Sequence, residues 1–229
     1  MTGGYPANVW FSISLLIFVA LARLTLWRGN RTTSPAALHA SRLLTTATAL
    51  LGLGFAFQAD PFHDWVDALL HPPLAENLSD LIHALCIMTA CVLLGSIPLT
   101  GTRARVRRPW MVFGVVLMLV VVIASGLGAR PIAGAQLYQN TFAAVVLSSC
   151  VLIVVTTVRQ LRGARLLAAL TFAALAAIAS AGTTVYTLIF APTFMQDHYD
   201  QILTVTSVLV AVGVGTAGLY GLWLGWRRS

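Results

Sequence analysis

Seven apolar blocks of roughly 20 residues each follow one another along this chain, with only short polar stretches between them. Twenty helical residues rise about 30 Å, the thickness of a bilayer's hydrocarbon core. Inside hydrocarbon, backbone N–H and C=O groups must be bonded within the protein, so each block is read as a helix. The blocks fall at residues 8–27, 35–58, 78–99, 109–127, 141–160, 164–191 and 201–226. The expected fold is all-α: a polytopic membrane protein with seven transmembrane helices, residues 1–229 forming a single bundle. Composition agrees, because 58% of residues are hydrophobic and only 9% charged, against about 25% charged in soluble domains. The first block is too long for a signal-peptide core and runs into Trp27-Arg28, so it is expected to be retained as a span.

Charge is sorted along the chain. The connections after the first, third, fifth and seventh blocks carry Arg28, Arg31, Arg103, Arg105, Arg107, Arg108, Arg162, Arg227 and Arg228, and Arg23, Arg42, Arg159 and Arg165 lie at the same helix ends. Only Arg130 falls on the opposite side, together with every acidic residue. Arginine concentrates on the cytoplasmic face of membrane proteins, so the N-terminus is expected outside and the C-terminus in the cytoplasm of a bacterial plasma membrane. Trp27, Trp110, Trp223 and Trp226 then fall at the inner interface, and Tyr5, Trp10, Trp65, Tyr138 and Tyr199 at the outer one. Amphipathic rings prefer those depths. Arg23, one turn inside the first block, is expected to snorkel to the inner interface.

Helix starts can also be read. Ser34-Pro35 is a cap followed by proline at the first helical position, and Pro109 is expected to open the fourth span in the same way. Asn77 with Asp80, and Asp197 with Asp200, resemble capping boxes at the starts of the third and seventh spans. Gly213, Ala217, Gly221 and Gly225 recur every four residues and form a small-residue face for helix packing, within the bundle or against a second copy.

The densest polar stretch lies between the second and third spans. Residues 60–91 hold Asp60, His63, Asp64, Asp67, His71, Glu76, Asp80 and His83, five of the seven acids and three of the five histidines. Residues 61–71 suit a short outer interfacial helix, with Phe62, Trp65, Val66 and Leu69 on one face and the polar residues on the other. Asp60 would cap it, and Pro72-Pro73 would end it. His63, Asp67 and His71 fall on one side of that helix and form a candidate set for a divalent metal, which His198 beside Asp197 and Asp200 could complete. The plainer alternative is a solvated surface. Asp80 and His83, one turn apart, form a candidate carboxylate–imidazole couple that would respond to pH. Alternatively, Asp80 caps its helix and His83 bonds a neighbouring helix.

Other chemistry finds less support. All fourteen basic residues are arginine, so no lysine is present for a retinal Schiff base. His39 and His83 sit at opposite depths, which disfavours haem between them. Cys86, Cys91 and Cys150 lie inside spans at spacings unlike a zinc or redox motif. The span centres carry no Asp, Glu, Lys or Arg, which weakens ion-coupled transport, and no catalytic signature appears. Arg103, Arg105, Arg107 and Arg108 suit anionic lipid of the inner leaflet or an acidic cytoplasmic partner, with nothing beside them that favours nucleic acid.

The run from Leu74 through Asn77, Leu78 and Asp80 to His83 resembles a pattern in a group of actinobacterial seven-helix membrane proteins labelled as transporters. In that group an outer loop ends in Asn-Leu and a histidine follows about six residues on. The Arg-only, Ala-rich composition also suits a high-GC actinobacterium. Members of the group continue into a cytoplasmic tail, whereas this sequence stops at Ser229, so no autonomous signalling output is expected. The functional expectation is a non-catalytic sensory or accessory subunit whose outer Asp/His cap meets a ligand, metal or partner. That partner would be another membrane protein or a second copy. A small-solute transporter is the alternative, and an outward-facing metal-dependent enzyme a more distant one.

Overall fold

In the computed structural model the described residues are 7–29, 35–57, 59, 62–69, 78–100, 104–126, 136–159, 171, 174–175, 178, 182 and 192–226. Most of them form seven α-helices: α1 (Ala7–Gly29), α2 (Pro35–Phe57), α3 (Phe62–Leu69), α4 (Leu78–Ser96), α5 (Ala104–Ala124), α6 (Gln136–Arg159) and α7 (Pro192–Trp226); residues 171, 174–175, 178 and 182 are helical as well. Four stretches are long and apolar enough to cross a membrane: Ala37–Phe57, Leu78–Leu99, Val106–Ala124 and Thr204–Trp223. Val9–Thr25 and Asn140–Val155 are shorter apolar helices. The chain is thus a helical, integral membrane protein. The sixth expected span, 164–191, lies largely outside the described residues.

Several helix ends differ from expectation for identifiable reasons. Pro109 sits inside α5, which begins at Ala104. The ring removes one N–H, but it does so in an early turn of the helix, where Arg108 and Pro109 are exposed. α7 starts at Pro192, so Asp197–Asp200 lies within the helix and is not a capping box. Proline at the first helical position loses no intrahelical bond. At 35 residues, α7 is about 50 Å long and extends well beyond the hydrocarbon. α5 ends where Gly126 adopts φ 57°, a left-handed conformation that glycine reaches without a Cβ clash. At the end of α4, Pro98 falls in a 3₁₀ turn over Ile97–Leu99.

The centre of the bundle is where α4 packs on α2, and α2 on α1. Leu16, Ala47, Leu51, Phe55, Ile87, Ala90 and Leu94 meet there, all buried. A Cβ on Gly54 of α2 would lie 2.7 Å from Ile87 Cδ1 of α4, so the missing side chain is what lets these two helices come together. α5 and α6 extend the bundle from α4 through Met88, Val92, Val121 and Val145. α7 closes against α1. Facing positions advance together along these two helices, Gly215 against Leu15, Gly218 against Val19 and Gly221 against Arg23, so α1 and α7 run parallel.

Candidate functional site

At one end of the bundle, α3 links α2 to α4. Buried Ala59 makes the corner: its carbonyl accepts from the backbone N–H groups of Phe62 (2.9 Å) and His63 (3.0 Å), starting the short helix. Phe62 stacks edge-on against Phe57 of α2 at 5.3 Å and sits beside Trp65 at 5.6 Å. Val66 is buried against the bundle, whereas Phe62 and Trp65 remain 38% and 57% exposed. The apolar side of α3 is therefore divided between the core and the outside.

His63 lies between two carboxylates. Its Nδ1 is 3.4 Å from Asp64 Oδ1, and its Nε2 is 3.9 Å from Asp80 Oδ1 in the first turn of α4. The second approach ties α3 to α4. Both are exposed or half-exposed contacts, and such pairs typically contribute about 0–1 kcal/mol.

His83 faces inward and is buried. Its Nδ1 is 2.7 Å from the carbonyl oxygen of Gly54. A carbonyl can only accept, so Nδ1 carries the proton and donates. Gly54 belongs to the last turn of α2, whose final carbonyls have no helical N–H to bond. His83 thus satisfies a helix end from across the bundle. The contact is the interhelical alternative for this residue; Asp80 faces His63 instead.

At the opposite end of α2, Arg23 departs from expectation. It is only 2% exposed, held within the protein instead of reaching the interface. Its Nε donates to Thr45 Oγ1 (3.0 Å), Nη1 to the Gly218 carbonyl (2.7 Å), and Nη2 to Ser41 Oγ (2.9 Å) and the Ser41 carbonyl (3.3 Å). Thr45 Oγ1 in turn donates to the Ser41 carbonyl at 2.9 Å. A Cβ on Gly221 would lie 2.5 Å from Nη1, so a small residue there makes room for the guanidinium. One side chain therefore joins α1, α2 and α7. Burying a guanidinium is costly unless its donors are satisfied, and these four acceptors supply that satisfaction. The signal was an arginine one turn inside a span. Its acceptors lie 18 to 195 residues away in sequence, beyond what local spacing reveals.

The remaining candidates are distributed as follows. Asp60, His71 and Arg103 lie outside the described residues, as do the side chains of Asp67, His198 and Arg105. The His63–Asp67–His71 set is therefore described only at His63. Among the described residues, no group of three or more His, Cys, Asp or Glu side chains is arranged to hold a metal. Arg107 is half-buried and Arg108 exposed on α5. Gly213 and Ala217 are buried, and Gly221 faces Arg23. Gly225 lies near the end of α7. The close approach to α1 uses Gly215, Gly218 and Gly221, so it shares only Gly221 with the four-residue repeat.

No protein-family model, curated protein or solved structure matches the chain.

Proposed function

We propose that this chain is a seven-span protein of the bacterial plasma membrane, N-terminus outside and C-terminus inside, acting as a non-catalytic accessory or sensory subunit. Its outer cap, built on α3, is the part that meets a partner. The observation that carries this reading is the cap's construction. His63 bridges toward Asp80 while Trp65 and Phe62 stand exposed beside the acid Asp64. An aromatic pair next to charge, held on a short helix anchored at its start by Ala59 and His63, is a surface suited to another membrane protein's outer rim. The parallel course of α1 and α7 supports an odd number of crossings. Sorting of arginine to one set of helix ends supports the orientation.

The test is a photo-crosslinking amino acid at position 65 in cells, followed by mild-detergent purification of the full chain. A discrete adduct with one membrane protein, lost in His63→Ala, is the expected result. A chain that crosslinks only to lipid and migrates as a lone monomer overturns the subunit reading.

A further inference from the structure

A groove of about 220 Å³ runs between α1 and α2 on the side of Arg23. Ile17, Ala20, Leu21 and Leu24 form one wall, and Thr46 and Ala49 the other, with Thr45 at its base. Leu21, Leu24 and Thr46 are exposed at the rim, so the groove opens away from the bundle. Its length along the helices is about 10 Å, the rise of seven residues and a fraction of one leaflet's depth.

The same stripe of α2 carries a charge. Arg42 precedes Thr45, Thr46 and Ala49 by three, four and seven residues, which puts all four on one helix face. Arg42 is exposed at the end of that stripe. Behind the wall stands Arg23, bonded to the groove residue Thr45. Its partners Thr45, Ser41 and Gly218 are neutral, so its positive charge is not cancelled by them. In a low-dielectric setting that charge reaches into the groove. Asp64 and Asp80, the acids whose side chains are described, stand beyond the far end of α2.

We infer that this groove binds one anionic glycerophospholipid, its acyl chain lying between α1 and α2 and its phosphate at Arg42. The apolar walls accept hydrocarbon, and the rim supplies positive charge where a headgroup must lie. Membrane insertion is sufficient for this; either orientation of the chain in the bilayer serves.

Native mass spectrometry of the full chain, given equal phosphatidylglycerol and phosphatidylcholine of matched acyl chains, tests the inference. Wild type should retain phosphatidylglycerol over phosphatidylcholine by about fivefold, the ratio that one arginine's attraction to a net-negative headgroup supplies, since choline's cation offsets the phosphate in the other lipid. Arg42→Gln should bring that ratio close to one. Ala49→Phe, which fills the groove, should lower retention of both lipids. Arg159→Gln, at the end of α6, a helix that contributes no residue to the groove's lining, should leave the ratio unchanged. Equal retention of the two lipids by wild type overturns the site, as does an equal loss in Arg159→Gln and Arg42→Gln. A dimer in the same spectra that excludes lipid would show a second copy in the groove and overturn it too. The wild-type and Arg42→Gln comparison stands even if Ala49→Phe fails to fold.

Discussion

α4 and α5 are adjacent, antiparallel and equally apolar by mean hydropathy, yet 67% of the α4 span is buried and only 11% of the α5 span. Their polar and small residues differ. α4 carries Ser79, His83, Ala84, Thr89, Ala90, Gly95 and Ser96, whereas α5 is dominated by Val, Leu, Phe and Met around Gly114. α4 meets α2, α5 and α6. On its outer face α5 shows Val112, Val116, Leu119 and Ile123, the last 75% exposed. In hydrocarbon, apolarity does not decide which helix is central, because lipid is as apolar as leucine. Small residues that permit contact, and polar groups that find partners, decide it.

The α4–α5 seam itself shows the rule. Trp110 Nε1 donates to the Val92 carbonyl at 3.0 Å, Thr89 Oγ1 to Met118 Sδ at 3.2 Å and Ser96 Oγ to Met111 Sδ at 3.3 Å. A Cβ on Gly114 would come 2.5 Å from Val92 Cγ2, so the missing side chain there lets α5 come close to α4.

Substitutions can break or sharpen this contrast, read by SDS titration of the detergent-solubilised protein. The largest effect is expected at Met88 of α4, 0% exposed. Met88→Ala should cost about 2 kcal/mol, the lower end of the core range, since the loss is packing and not transfer from water. His83→Ala should cost about 1–2 kcal/mol by removing the donor that satisfies the Gly54 carbonyl. Gly114→Leu should cost about 1–2 kcal/mol by forcing α5 off Val92. His63→Ala should cost under about 1 kcal/mol, because its contacts with Asp64 and Asp80 are partly exposed. Ile123→Ala on the outer face of α5 should change stability by less than about 0.5 kcal/mol. An Ile123→Ala loss equal to that of Met88→Ala would mean α5 is covered by protein, and the contrast would fail.

Much of the helical layout was legible because apolar length and local capping are properties of contiguous sequence. Pro35 opens α2, and the apolar run 78–99 is covered by α4 and its 3₁₀ turn. α3 falls inside the 61–71 segment whose apolar and polar residues alternate at helical spacing. The misread ends, Pro109 and Asp197, share a cause. Each residue type favours a helix start, but neither forbids a helix that began earlier. The site was less legible. His83 and Arg23 are both polar groups near helix ends; the sequence offers His83 either a local acid or a neighbouring helix, of which the second is found, and it points Arg23 to the interface, where it does not go. Their actual acceptors are Gly54, Ser41, Thr45 and Gly218 on other helices. Glycine's contribution there is a backbone carbonyl and an absent side chain, neither of which leaves a pattern by residue type.

The functional reading depends most on the cap of α3 lying outside and the arginine-rich end inside. Cysteine labelling measures this directly. In a background with Cys86, Cys91 and Cys150 replaced by alanine, Asp64→Cys and Ser229→Cys are exposed in turn to a membrane-impermeant maleimide in intact cells. The account predicts that position 64 is labelled at once and position 229 only after permeabilisation. Labelling of position 229 in intact cells, with position 64 protected, would contradict it.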